Sequence, residues 1–313
     1  MNRRSFISLS ALAGAVCISE SSGWSALSKS APTAEAETFD FIFFTDTHIQ
    51  PELDAAHGCT TCFEKLRSHK ADFAIQGGDH VYDALGASAQ RATDLYELYA
   101  RIEKLIEIPV YHTIGNHDVF AAYAKTGVPV SDPRQGKRMY QQRIGKLYYS
   151  FDHKGYHFVV LDTIQLTDDR SWEARIDELQ LAWLAQDLGS IAPGTPVIIV
   201  VHCPLTTGAL AYSAHDMNKP PKYQQAYVAN AYAVIALLEK HNVVLVLQGH
   251  IHINEVVTYK GIPFVTSGAV SGDWWHGSHW GSPEGYTVVS LKNGGASWRY
   301  ETYGFKTIAP RND

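Results

Sequence analysis

The sequence predicts an α/β protein whose mixed β-sheets are covered on the outside by helices. Three observations predict it. Apolar runs of strand length alternate with helix-period patterns through the first half of the chain. Two of those runs, 197–202 and 243–248, are continuous and rich in β-branched residues, as strands buried on both faces are. The C-terminal end is instead hairpin-rich, with Lys260-Gly261 as one turn signal. With 313 residues, 45% hydrophobic and 12% aromatic, the chain has ample core-forming material, which excludes disordered, collagen-like and coiled-coil classes. A net charge of −6 without a long basic run argues against a nucleic-acid-binding surface.

Taken in order, the first element is an address. Asn2-Arg3-Arg4-Ser5-Phe6-Ile7 is a twin-arginine pattern, and the uncharged stretch from Ser5 to Ser19 is fifteen residues long. A bilayer span needs about 20, so residues 1–36 read as a cleaved signal peptide and spacer, with Ala34-Glu35-Ala36 as a small-x-small cleavage site. Cys17 follows Val16, a poor lipobox residue, which favours cleavage over lipidation. The expected partner of this segment is the twin-arginine export machinery. The mature chain, 37–313, is then periplasmic or extracellular and carries no transmembrane span.

Strands are predicted at 39–45, 73–76, 110–113, 148–151, 157–162, 197–202, 243–248, 255–259, 263–267, 286–291 and 297–301. Helices are predicted at 60–69, 89–107, 134–144, 173–188 and 223–241. No linker or repeat divides residues 37–313, which read as one domain. Cys59 and Cys62 form a C-x-x-C without the second pair a zinc site needs. A disulfide, a redox pair and two buried thiols all remain open. Cys203 adjoins an apolar strand and reads as core.

The chemistry sits at strand ends. Five apolar runs lead into Asp46-Thr47-His48, Gly78-Asp79, Gly115-Asn116-His117-Asp118, His202 and Gly249-His250-Ile251-His252. Alternation along a strand points Asp46 and His48 to one side. Glycines allow the sharp turns that converging side chains require. Ligands in open α/β sheets bind beyond the carboxyl ends of strands, so these residues can meet in one crevice. A single Asp or His after a strand is usually a cap, but five in order describe a shared metal site. Imidazole mixed with oxygen donors suits Mn, Fe, Co, Ni or Zn and disfavours a Mg or Ca cage.

This series resembles the motifs of the calcineurin-like metallophosphoesterases, over residues 46 to 252 of a domain covering 37–313. The resemblance implies two mixed β-sheets packed as a sandwich flanked by helices, a four-layer α/β/β/α fold. It implies two divalent transition-metal ions. Asp46, His48, Asp79 and His252 would hold one; Asp79, Asn116, His202 and His250 would hold the other, with Asp79 shared. It also implies hydrolysis of a small-molecule phosphate monoester or diester, by in-line attack of a hydroxide bridging the two ions. His117 would face the substrate and protonate the leaving group, with Asp118 orienting its imidazole or acting as a local cap. Two alternatives are a cell-envelope binding protein that holds metal without turnover, and a phosphomonoesterase like the purple acid phosphatases. That subgroup carries an iron-ligating tyrosine where Tyr82 stands, but lacks the first-motif histidine, present here as His48. Tyr82 is therefore expected to pack or hydrogen-bond rather than ligate.

Two loops could shape the pocket. In 270–284, Trp274, Trp275 and His276 form either an aromatic wall for substrate or a loop stapled to the sheet, since exposed tryptophans are costly without a partner. Residues 205–221, with Tyr212, His215 and Asp216, read as a surface loop or a rim.

Overall fold

The computed structural model describes residues 36–209 and 223–311. The signal segment, and Tyr212, His215 and Asp216 of the second loop, lie outside the described residues. Two mixed sheets organise the rest. In the first, β1 (Phe39–Phe44), β2 (Ala74–Gln76) and β3 (Val110–His112) run parallel. On the far side of β1, β12 (Gly285–Lys292) pairs antiparallel, and β13 (Gly295–Thr302) closes that edge, in the order β13-β12-β1-β2-β3. The second sheet contains β4 (Tyr149–His153), β5 (Tyr156–Val160), β8 (Val197–Val200), β9 (Val243–Gln248), β10 (Glu255–Tyr259) and β11 (Ile262–Thr266). Its order is β10-β11-β9-β8-β5-β4, with β5, β8, β9 and β11 parallel.

Period-two alternation sorts each strand's side chains between cores. Phe41 and Phe43 of β1 pack with Ile198, Val200, Leu245 and Leu247 between the two sheets. Ile42 and Phe44 face outward onto α1 (Ala55–Arg67) and α2 (Ala89–Glu103) through Phe63, Leu66, Leu95 and Tyr99. Val197 and Ile199 face α4 (Glu178–Ser190) and α6 (Ala231–Leu238). The result is the four-layer helix–sheet–sheet–helix arrangement. Each fully buried side chain of this kind contributes roughly 1.5–3 kcal/mol, so the two sheets are rigid supports for whatever their ends carry.

Several elements differ from expectation. Helix α1 starts five residues early, at Ala55, and runs through Gly58. The glycine is a packing choice there: a Cβ at Gly58 would sit 2.1 Å from the Trp275 ring. The helix expected at 173–188 begins only at Glu178, where Asp177 accepts a hydrogen bond from Gln180 N (2.8 Å). Trp172–Ala174 is instead a strand, β7, pairing with β6 (Ile164–Leu166), and its Trp and Ala are buried while Glu173 is not. The segment expected helical at 134–144 keeps only α3, Arg138–Arg143, and 223–241 breaks into α5 (Tyr223–Ala226) and α6. Cys59 and Cys62 lie in α1 as buried free thiols, and Cys203 is a third. Among the described residues no helix is long and apolar enough to cross a membrane.

Candidate metal centre

The parallel strands β1, β2 and β3 of one sheet and β8 and β9 of the other each lead, within two to four residues of their ends, to a residue of the expected cluster. The structure brings the seven expected ligand residues together: Asp46, His48, Asp79, His202, His250 and His252 fall in overlapping groups, within each of which the donor atoms lie within 4.8 Å of one another, and Asn116 Oδ1 joins them 3.2 Å from His202 Nε2. The local backbone is unusual. Asp46, His48, Asp79, His250 and His252 all have positive φ, between 38° and 73°. For residues other than glycine this region is strained and persists only where the surroundings impose it. Gly115 is fixed by close approach, since a Cβ there would stand 2.2 Å from Asp79 N and Oδ1.

Two donor sets share Asp79. In the first, His48 Nε2 lies 3.0 Å from His252 Nε2 and 3.5 Å from Asp79 Oδ2. Asp46 Oδ1 lies 3.3 Å from His252 Nε2 and 3.7 Å from His48 Nε2. In the second, His202 Nε2 lies 3.2 Å from Asp79 Oδ2 and 3.2 Å from Asn116 Oδ1. Atoms ligating one cation at about 2.0–2.2 Å stand roughly 2.8–3.6 Å from one another, so this spacing fits metal ligation. Asp79 Oδ2 is common to both sets.

The remaining hydrogen bonds turn these atoms inward. Asp46 Oδ2 accepts from Thr45 Oγ1 (2.6 Å) and His250 N (3.0 Å). Its Oδ1 is buried without a hydrogen bond, a costly state that a cation would relieve. Backbone carbonyls only accept, so each fixes a histidine tautomer. His202 Nδ1 donates to Gly77 O (2.8 Å), His252 Nδ1 to Gly272 O (2.5 Å) and His250 Nε2 to Gln225 O (2.8 Å). The lone pairs left for a metal are Nε2 of His202 and His252 and Nδ1 of His250.

Charge follows the same pattern. Burial, reinforced by repulsion from neighbouring histidines, pushes His48 and His250 down to about 4. Burial also works against charge on His202, but the Asp79 carboxylate and hydrogen bond outweigh it and raise His202 to about 9. His252 is raised, burial being outweighed by Asp46. Both carboxyls are held below the usual range, because neighbouring histidines outweigh their desolvation. A proton on His202 therefore occupies the place of a cation. Below pH about 9 a metal must displace the His202 proton. Uptake at pH 7 should then release protons and tighten as pH rises toward 9. Calorimetry in buffers of different ionisation enthalpy measures this; identical apparent heats would exclude it.

His117 also reaches the site. Its ring centroid lies 4.6 Å from that of His48, and its N–H donates to Asp79 Oδ1 (2.8 Å). Its ring Nδ1 donates to the carbonyl of Tyr82, which leaves Nε2 for a substrate. Asp118 does not orient this ring. Its carboxylate accepts from the backbone N–H groups of Asp79 (3.0 Å), His80 (2.9 Å) and Gly115 (2.9 Å), and meets His80 Nδ1 at 2.9 Å. The expected orienting role passes to the Tyr82 carbonyl, and Asp118 clamps two motif loops instead. A carbonyl leaves no signal in the sequence. The Tyr82 side chain is 37% exposed, its ring 6.4 Å from that of His117. Tyr82→Phe should keep the metal content and most activity, and iron-loaded protein should lack a tyrosinate absorption band; a purple protein bleached by this substitution would refute the placement.

The tryptophan loop divides between its two readings. Trp274 lies 4.5 Å from the His252 ring and 5.9 Å from the His48 ring. Trp275 is fully buried and donates from Nε1 to His48 O (3.0 Å), and His276 Nδ1 donates to Ala309 O (2.7 Å). Those two tie the loop to the fold, so their expected contact with substrate is not met. His279, not singled out in the sequence, lies 5.7 Å from the His252 ring.

The family model of the calcineurin-like phosphoesterases matches residues 39–254. No curated protein matches the chain in sequence. Among solved structures, a dimetal phosphatase from Danio rerio is 16% identical, with TM-score 0.57, 85% of this chain and 99% of that one covered. The purple acid phosphatase PPD1 from yellow lupin is 13% identical, with TM-score 0.53, 85% of this chain and 52% of that one covered. GAP50, the anchor in the inner membrane complex of Plasmodium, is 14% identical, with TM-score 0.55, 88% and 89% covered. At these identities the likeness is one of fold.

Proposed function

The chain belongs to the calcineurin-like phosphoesterase family, and from that premise we propose that it hydrolyses small phosphate monoesters or diesters at a two-metal centre built from the clustered residues. The observation that carries this reading is Asp79 Oδ2, placed within 3.5 Å of His48 Nε2 and 3.2 Å of His202 Nε2, where one carboxylate oxygen can serve two cations. Asp46, His48, Asp79 and His252 would hold the first ion, and Asp79, Asn116, His202 and His250 the second. The donor set of imidazole, carboxylate and amide oxygen fits divalent Mn, Fe, Co, Ni or Zn. When bound, two such ions supply positive charge for the phosphate and acidify water.

The chain's own residues do the rest. Asp46 and Asp79 offset part of the metal charge and leave a net positive site for an anion. His117, anchored through Nδ1 to the Tyr82 carbonyl, holds its Nε2 for proton transfer to the departing oxygen. A protein that only stored metal would have no use for that tether, which favours turnover over the idle binding alternative. His48 fills the position whose absence marks the purple subgroup, and this favours a colourless centre.

The experiment is elemental analysis combined with turnover of p-nitrophenyl phosphate and bis-(p-nitrophenyl) phosphate. Chelation should abolish the activity and a divalent transition metal restore it. Fully loaded protein that cleaves neither ester would overturn the reading, and the ratio of the two rates separates monoesterase from diesterase. Residues 1–36 would export the chain. Replacing Arg3 and Arg4 together by Lys keeps the charge and removes the pattern, so precursor should accumulate in the cytoplasm; unchanged secretion would refute the twin-arginine route.

A further inference from the structure

Trp275 staples the 270–284 loop to the fold. It fills the space over Gly58 and donates to His48 O, and Thr307 Oγ1 donates to its carbonyl (2.6 Å). Arg311 N donates to His276 O (3.0 Å), and His279 and Ser282 exchange a reciprocal pair of backbone hydrogen bonds at 2.9 and 2.8 Å. The loop is thus held from the helix side and from the C-terminal segment. On this fixed support a series of aromatic rings runs outward from the metal-side imidazole. Trp274 lies 4.5 Å from His252, His279 lies 5.8 Å from Trp274, and Trp280 stacks on His279 at 4.7 Å and 22°. Trp280, at the outer end, is 44% exposed. Trp274 and Trp280 have φ of 46° and 45°. For bulky side chains that is an outlier the surroundings must enforce.

Positive φ at Trp274 and Trp275 turns the chain so that one indole is buried and the other lies half-buried against a candidate ligand ring. Such a plane has a chemical use: flat π systems stack on it, and the contact is worth about 1–3 kcal/mol for a base on an aromatic side chain. We infer that Trp274, continued by His279 and Trp280, is a platform for a planar aromatic group carried by the substrate beside its phosphate. The substrate class is then phosphate esters of phenols or of nucleosides, rather than of simple aliphatic alcohols. This deepens the hydrolase reading and rests on it for where the phosphate sits.

The test uses metal-loaded protein and ligands whose carbon–phosphorus bond this chemistry does not cleave. Phenylphosphonate and cyclohexylphosphonate match in size and differ in planarity. By calorimetry the phenyl compound should bind roughly 3- to 10-fold tighter. Trp274→Ala and Trp280→Ala should bring that ratio close to one while elemental analysis shows metal content retained. Trp280→Ala carries the test if Trp274→Ala disturbs His252. The methylenephosphonate analogues of adenosine 5′-phosphate and ribose 5-phosphate form a second pair: a larger preference there identifies a nucleobase as the stacked ring, a smaller one an aryl group. Equal binding of the two phosphonates by wild-type protein, or a ratio unchanged in both variants, would overturn the platform. A wild-type protein that keeps the ring preference but hydrolyses no ester would leave the platform standing and remove the hydrolase reading instead.

Discussion

Asp79→Ala is expected to abolish turnover and to lower metal content at both positions together. Asp79 Oδ2 stands between the donor atoms of the two sets, 3.5 Å from His48 Nε2 and 3.2 Å from His202 Nε2. Its Oδ1 accepts the backbone N–H of His117 (2.8 Å), so the same carboxylate also fixes the candidate proton donor. Alanine removes all three functions and leaves the clustered histidines in a buried space with one carboxylate fewer. Groups that merely support ligands cost about 10–100-fold when lost; a shared ligand should cost more than that upper figure. Asp79→Asn is the sharper variant. It keeps the volume and one oxygen but removes the charge that holds His202 up at about 9. Less than two metals per chain is expected in both variants by elemental analysis. Full occupancy with activity lost would mean that the two sites do not depend on this carboxylate.

The parts of this site that were legible in the sequence share one physical origin. A buried strand reads as an apolar run, and a polar residue at its end stands out against that run. Val243–Gln248 followed by Gly249-His250 shows both, and the structure places the strand at those bounds. Asp46 and His48 after β1, and His202 after β8, read the same way. Elements set by tertiary contact did not. Helix α1 runs through Gly58 because Trp275, more than 200 residues away in sequence, occupies the space a Cβ would need. The β6–β7 hairpin has only three residues per strand, too short for alternation to declare itself. Asp118 was visible as a polar residue beside His117, but its direction was not. Its carboxylate is saturated by the N–H groups of two strand-end loops that only the folded sheet brings together. Trp274 and Trp275, adjacent in sequence, point to opposite fates because positive φ at both residues turns the chain between them.

His117→Ala should separate proton transfer from metal holding. The Tyr82 carbonyl anchors Nδ1, and the Asp79 carboxylate holds the backbone N–H, so the ring is fixed from two directions without taking either donor set's shared atom. Removing the imidazole leaves the clustered Asp46, His48, Asp79, Asn116, His202, His250 and His252 side chains in place. The expected drop in kcat is about 10²–10⁴-fold, the usual scale for a lost general acid. KM should move little, because the loss falls mainly on the transition state. The deficit should also depend on the ester: a p-nitrophenolate departs without help, whereas an alkoxide of high pKa needs a proton. The ratio of wild-type to variant rates should therefore grow along a series of leaving groups from nitrophenol to simple alcohols, with metal content constant throughout. A variant that loses metal would place His117 among the ligands. A deficit equal for every leaving group would assign it to phosphate binding rather than to the leaving oxygen.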